Sequence, residues 1–181
     1  GIAVIYQMGY MTVIYFASVI AKNQGAKLGT TLVLALIMTV AAGVAAAVVS
    51  RTQDRLGHRT TIIASLSVWA MSTLVLAGGI AFGADQRLFW GVAVGWGLGL
   101  GSIGTATRAA VGAFTPAHKS AEFFGLYGMT YRLATVVGVP LFTLVSARAG
   151  QTTGLLMLSA FFGGGVALMF RIDDRRGIEE A

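Results

Sequence analysis

Apolar residues in this chain come in long unbroken runs rather than in alternation. From Leu32 to Val49 there is no charged side chain and only one hydroxyl, Thr39. A strand of a membrane barrel would alternate polar and apolar positions over about ten residues, and no such alternation is present here. Six apolar stretches lie near 1–21, 28–50, 60–82, 88–110, 122–146 and 152–171. Each approaches the roughly 20 residues a helix needs to cross a ~30 Å hydrocarbon core. The pattern predicts an all-α, polytopic membrane protein with a six-helix bundle over 1–171 and a charged tail over 172–181.

The segments between the runs carry turn chemistry: Lys22-Asn23-Gln24-Gly25, Gly83-Ala84-Asp85-Gln86, Thr115-Pro116-Ala117-His118 and Ala149-Gly150-Gln151, with a charged connector at 51–59. Connectors this short force neighbouring helices to run antiparallel. The chain opens on Gly1 inside an apolar run, and is expected to be a piece of a longer protein.

Composition sharpens the class. Of 181 residues, 56% are hydrophobic and 11% charged, against roughly 25% charged in an ordinary soluble domain. That supply cannot build a water-facing surface. The 25 glycines fit helices that pack closely within a bilayer. There is no cysteine, which excludes a disulfide framework and a thiolate metal site.

The net charge of +6 does not point to nucleic acid, because Lys and Arg are scattered among connectors and helix ends with no basic stripe. They serve instead as topology signals. Arg51, Arg55, Arg59, Lys119, Arg171, Arg175 and Arg176 fall on one side, against Lys22, Lys27, Arg87 and Arg148 on the other. The positive-inside rule predicts that the connector 51–59 and the C-terminal tail are cytoplasmic.

Several polar residues stand out against the apolar background. Arg132 follows Glu122 by ten residues, about 15 Å along a helix and hence near mid-membrane. An arginine there costs roughly 2.5–3.5 kcal/mol on insertion scales and usually faces a bundle interior or an aqueous cavity. Gly128 and Thr135 share its helical face, making a small, polar surface suited to solute binding or gating; a structural arginine held by backbone carbonyls is the competing reading. Tyr6, Gln7 and Tyr10 form one face of the first helix by their spacing, fit either to line a cavity or to anchor at the interface. Arg108 falls twenty residues after Leu88, about 30 Å along the fourth helix, where snorkelling or a gate contact is expected. Glu122 opens the fifth helix and is explained by the helix dipole. In the fourth helix Gly91, Gly95, Gly97, Gly99 and Gly101 make small-xxx-small pairs suited to close packing. Pro140 is expected to kink the fifth helix.

The connector Asp54-Arg55-Leu56-Gly57-His58-Arg59 resembles the D-R-x-G-R-R/K loop of the major facilitator superfamily in both letters and position, between the second and third of six helices. A narrower resemblance runs along the chain through Tyr6-Gln7-Met8-Gly9, Thr107-Arg108, Pro116 and Ala121-Glu122-Phe123-Phe124-Gly125-Leu126-Tyr127. Together these resemble the C-terminal half of bacterial major facilitators related to the autophagy-associated vacuolar amino-acid effluxer. The chain departs from that narrower pattern at Gln7-Met8, where the family tends to have Asn-Asp, and at Arg132, where it tends to have lysine, and from the superfamily loop at His58, where arginine is usual.

The resemblance implies half of a secondary transporter, with the 3+3 inverted repeat of that superfamily, working by alternating access in the cell membrane. Its partners would be a small solute, the lipid bilayer and an N-terminal six-helix half, with no cofactor. Arg132, Gln7, Tyr10 and Thr135 are the candidate cavity residues. Asp54, Arg55, Gly57, Arg59, Arg108 and Glu122 are the candidate gating set, in which the Asp54 loop would hold one conformation through a charge pair near Glu122. No phosphate loop, H-E-x-x-H or nucleophile elbow is present. A G-x-G-x-x-G match at Gly99 to Gly104 lies inside a span and not at a strand-to-helix turn. An enzyme is therefore not expected. A second reading is a non-transporting membrane module that binds a partner through its Gly-rich helix.

Overall fold

The computed structural model describes residues 2–85, 87–113 and 115–170. They form six helices and no strand: α1 (Ile2–Asn23), α2 (Leu28–Leu56), α3 (His58–Ala81), α4 (Arg87–Ala113), α5 (Ser120–Ala149) and α6 (Gln151–Met169), with a short 3-10 turn at Ala117–Lys119 before α5. All six are long and apolar enough to cross a membrane. The protein is a multi-pass membrane protein. The tail 172–181 lies outside the described residues.

The charged connector expected at 51–59 is mostly helix. No breaker falls between Ser50 and Leu56, so α2 runs on to Leu56 and the chain reverses at Gly57 alone. Gly57 sits at φ +82° and ψ 147°, a conformation that a Cβ resists. Its N–H donates to the Gln53 carbonyl at 2.8 Å, and its own carbonyl accepts from the Thr61 N–H at 3.2 Å. One residue thus closes one helix and opens the next. The α5–α6 junction repeats the device at Gly150, with φ +88° and ψ 160°. α5 continues on both sides of Pro140.

These matching junctions belong to a larger correspondence. α4 packs on α2 and α3, α1 packs on α5 and α6, and α3 meets α6. Exchanging the first helix for the fourth, second for fifth and third for sixth reproduces the same set of pairs. The two three-helix units interlock, each supplying the surfaces that bury the other's first helix.

Trp69 of α3 is fully buried where four helices converge. Its ring lies 6.2 Å from Tyr10 on α1, 6.3 Å from Trp96 on α4 and 5.3 Å from Phe162 on α6, centroid to centroid. Trp96 Nε1 donates to Thr73 Oγ1 at 3.1 Å, so the indole N–H is satisfied within the core.

The α4 glycines face two neighbours. Gly97 lies against Met38 and Ala41, and Gly101 against Ala42, all on α2. Gly95 and Gly99 lie against Ser72 and Trp69 on α3, whereas Gly91 faces open space. At Gly101 a methyl group would meet the Ala42 backbone itself, which cannot swing aside as a side chain can. Gly101→Ala is therefore expected to destabilise the bundle by about 1–3 kcal/mol, the usual range for overpacking. Gly91→Ala should have no such cost. Unfolding midpoints of the two variants in detergent micelles test the difference.

Candidate functional site

A groove of about 630 Å³ opens between α4 and α5. Arg108 enters it from α4, and Gly125, Gly128, Tyr131 and Arg132 line it from α5. The Tyr131 hydroxyl is hydrogen-bonded to that of Tyr127, one helical turn earlier. On its other side Tyr131 meets Tyr10 of α1 edge to face, with ring centroids 6.0 Å apart. Beneath, the buried Tyr6 hydroxyl lies 3.4 Å from Thr107 Oγ1, the residue adjoining Arg108. A layer of tyrosines thus joins the polar groove to the aromatic core around Trp69.

The surroundings of Arg132 make it unusual. Met129, Leu133 and Val136 beside it on α5 are exposed apolar side chains, and Arg132 is exposed among them. A guanidinium near the middle of a 30-residue helix is not stable against hydrocarbon. This face therefore needs water or further protein over it.

The sequence-predicted site residues fall into three groups. Arg132 and Arg108 share the groove, and Tyr10 supports its wall through Tyr131. Gln7 is fully buried in α1, and neither its Nε2 nor its Oε1 has a hydrogen-bond partner among the described residues. Thr135 is half-buried, and its hydroxyl donates back to the Tyr131 carbonyl at 2.9 Å; neither Gln7 nor Thr135 lines the groove. The third group lies at the Gly57 end. Asp54, Arg55 and Glu122 are exposed there. They form no ion pair among the described residues, so the charge pair expected near Glu122 is not made in this conformation. Arg55 occupies the last turn of α2 and Glu122 the first turn of α5, both favourable to the helix dipole.

Arg59 has a defined structural job. Its Nε donates to the Met169 carbonyl at 3.0 Å and one terminal nitrogen to the Phe170 carbonyl at 2.7 Å. The guanidinium also lies 5.7 Å from the Phe170 ring centroid. It caps the free carbonyls at the end of α6 and ties that end to the start of α3.

A second groove, of about 310 Å³, lies toward the opposite end of the bundle. It is walled by the latter part of α1, the early part of α2 and α4, through residues such as Leu34, Met38, Phe89 and Trp96. The helix exchange described above carries the α4/α5 groove onto this α1/α2 position. The related grooves differ in chemistry: one has two arginines and the other no charged side chain.

Sequence reasoning placed Arg108 at the membrane edge and missed that it joins Arg132, because the pairing depends on how α4 and α5 meet. Tyr131 was also missed as a wall residue, and Tyr127 as its hydrogen-bond partner; their four-residue spacing was the available signal.

The sequence profile described as vacuole effluxer Atg22-like matches residues 3–181, a span that includes the groove and the Gly57 junction. No curated protein matches the chain.

Removing the Arg59 clamp should be visible as lost stability. Arg59→Ala is expected to lower it by about 1.5–3 kcal/mol, the range for hydrogen bonds that involve a charged group, and Arg59→Lys by less. Thermal unfolding in detergent reads this out; an unshifted midpoint in Arg59→Ala would remove the clamp from the account.

Proposed function

Because the chain belongs to the vacuole effluxer Atg22-like family, a transporter family, we propose that it forms one half of a secondary transporter. It moves a small solute carrying an anionic group, amino acids among them. The observation that carries this reading is Arg132, exposed near mid-helix on an apolar face with no hydrogen bond or ion pair among the described residues. A charge so placed fits a midplane binding site reached from alternate sides as two halves rock about it.

An N-terminal six-helix half would complete that site. α2 and α5 are the least buried helices, each with 17% of its most apolar stretch inside the bundle, and they offer the surface such a half would cover. The bundle over 1–171 would then act as one wall of the cavity, with the Gly57 junction and the tail 172–181 on the cytoplasmic side of the cell membrane. Asp54, Asp85 and Glu122 all lie at helix ends. A carboxylate that couples flux to protons or sodium would therefore sit in the other half.

The alternative of a membrane scaffold docking through its Gly-rich helix is less well supported. Gly95, Gly97, Gly99 and Gly101 are already occupied by α2 and α3, leaving that face little to offer a partner.

Two substitutions in the full-length transporter should fail differently. Arg132→Ala should cost about 1.5–3 kcal/mol of solute binding, as for a hydrogen bond to a charged group, or roughly ten- to a hundredfold in Kd. Membrane insertion should be unaffected. Arg132→Lys should keep part of the affinity, since the charge stays while the planar fork is lost. Asp54→Asn should instead slow turnover with little change in Kd, by shifting the balance of inward- and outward-facing states. Proteoliposome flux and equilibrium binding over a panel of amino acids and carboxylic acids separate the two effects. Full flux in Arg132→Ala would defeat the reading.

A further inference from the structure

We infer that Arg108 and Arg132 form a single site for a doubly charged anion, so that the solute is a small dicarboxylate or phosphate-bearing acid. This rests on the reading of the α4/α5 groove as the solute site.

Both side chains line the same groove, and the two helices that carry them run in opposite directions. A helical side chain lies over the turn that precedes its own Cα. Arg108 is five residues before the end of α4 at Ala113, about 8 Å from that end, and its side chain runs inward. Arg132 is twelve residues after the start of α5 at Ser120, about 18 Å from the same end of the bundle, and its side chain runs outward. The two guanidiniums therefore approach a common depth.

The turn beneath each arginine is open. Gly104 precedes Arg108 by four residues, and Gly128 precedes Arg132 by four. A Cβ at either glycine would find nothing within 4 Å. Both guanidiniums are left uncovered where a larger side chain would shield them.

Among the described residues no group neutralises the pair. Neither arginine has an ion pair or hydrogen bond among the described residues. The nearest acid along α5 is Glu122, ten residues from Arg132 and about 15 Å away along the helix, and it does not line the groove. Two like charges that share one groove repel each other. One negative charge leaves a cation unmatched, and two negative charges match both. Guanidinium forks suit carboxylate and phosphate oxygens alike.

The test is calorimetric binding to the full-length protein of succinate, inorganic phosphate and the single-charge control propionate, with selectivity as the readout. The wild type should bind succinate or phosphate at least about tenfold more tightly than propionate, the scale of one added charged hydrogen bond. Arg108→Gln should bring that ratio close to one, and Arg108→Lys should restore part of it in a protein that keeps the positive charge. A ratio near one in the wild type, or an unchanged ratio in a folded Arg108→Gln protein, would overturn the inference. Succinate and phosphate binding that depends on Arg132 but not on Arg108 would overturn it while leaving the transporter reading intact. Binding of all three probes that survives Arg132→Gln would overturn both.

Discussion

The approach of α4 to α2 is the contact on which the arrangement of the polar groove depends. Gly97 and Gly101 present no side chain to Met38, Ala41 and Ala42, so the two helices come close enough for backbone to meet side chain and backbone directly. In a bilayer, where apolar surface gains little by leaving lipid, such van der Waals contact is a principal source of helix association. With α4 seated on α2 and α3, Thr107 is brought over Tyr6 and Arg108 is directed into the space before α5. The same seating lets Trp96 stack on Trp69. A helix carrying alanines or leucines in place of these glycines would stand further off, and the tyrosine layer would lose its support.

The second governing constraint is the cost of charge at depth. The bundle gathers large aromatic and aliphatic side chains around Trp69 and keeps Arg108 and Arg132 exposed beside an open groove. The two-fold relation of the helices makes this choice informative. The related groove, walled by α1, α2 and α4, is lined by residues such as Leu34, Met38 and Trp96 and has no charged side chain.

Six helices and their order were legible from hydrophobic run lengths, since lipid demands internally satisfied backbone over about 20 residues. The reversal at Gly57 was legible as well, because a lone glycine beside charged residues marks a place where φ turns positive. The extent of α2 was less so: Arg51 to Leu56 looks like a loop by charge, but helices tolerate charged residues once they leave the hydrocarbon. Arg132 could be singled out by arithmetic along one helix. Its pairing with Arg108 could not, since it is a property of two helices whose mutual rotation depends on glycine contacts far along the chain. Gln7 illustrates the opposite limit: its spacing with Tyr10 was clear, but its burial away from the groove follows from α1 being enclosed by α5 and α6.

The interlocking of the two three-helix units also bears on how the protein is made. α1, α2 and α3 have little contact with one another; α1 finds its neighbours in α5 and α6, and α2 finds its main neighbour in α4. As synthesis proceeds, α1, α2 and α3 enter the membrane before the surfaces of α4, α5 and α6 on which they pack exist. They cannot settle into a compact unit and then receive the rest. Gln7, whose amide has no partner among the described residues, is enclosed only when α5 and α6 arrive. Burial of α1 is thus a late event in the synthesis of this bundle, complete only once α5 and α6 are in place.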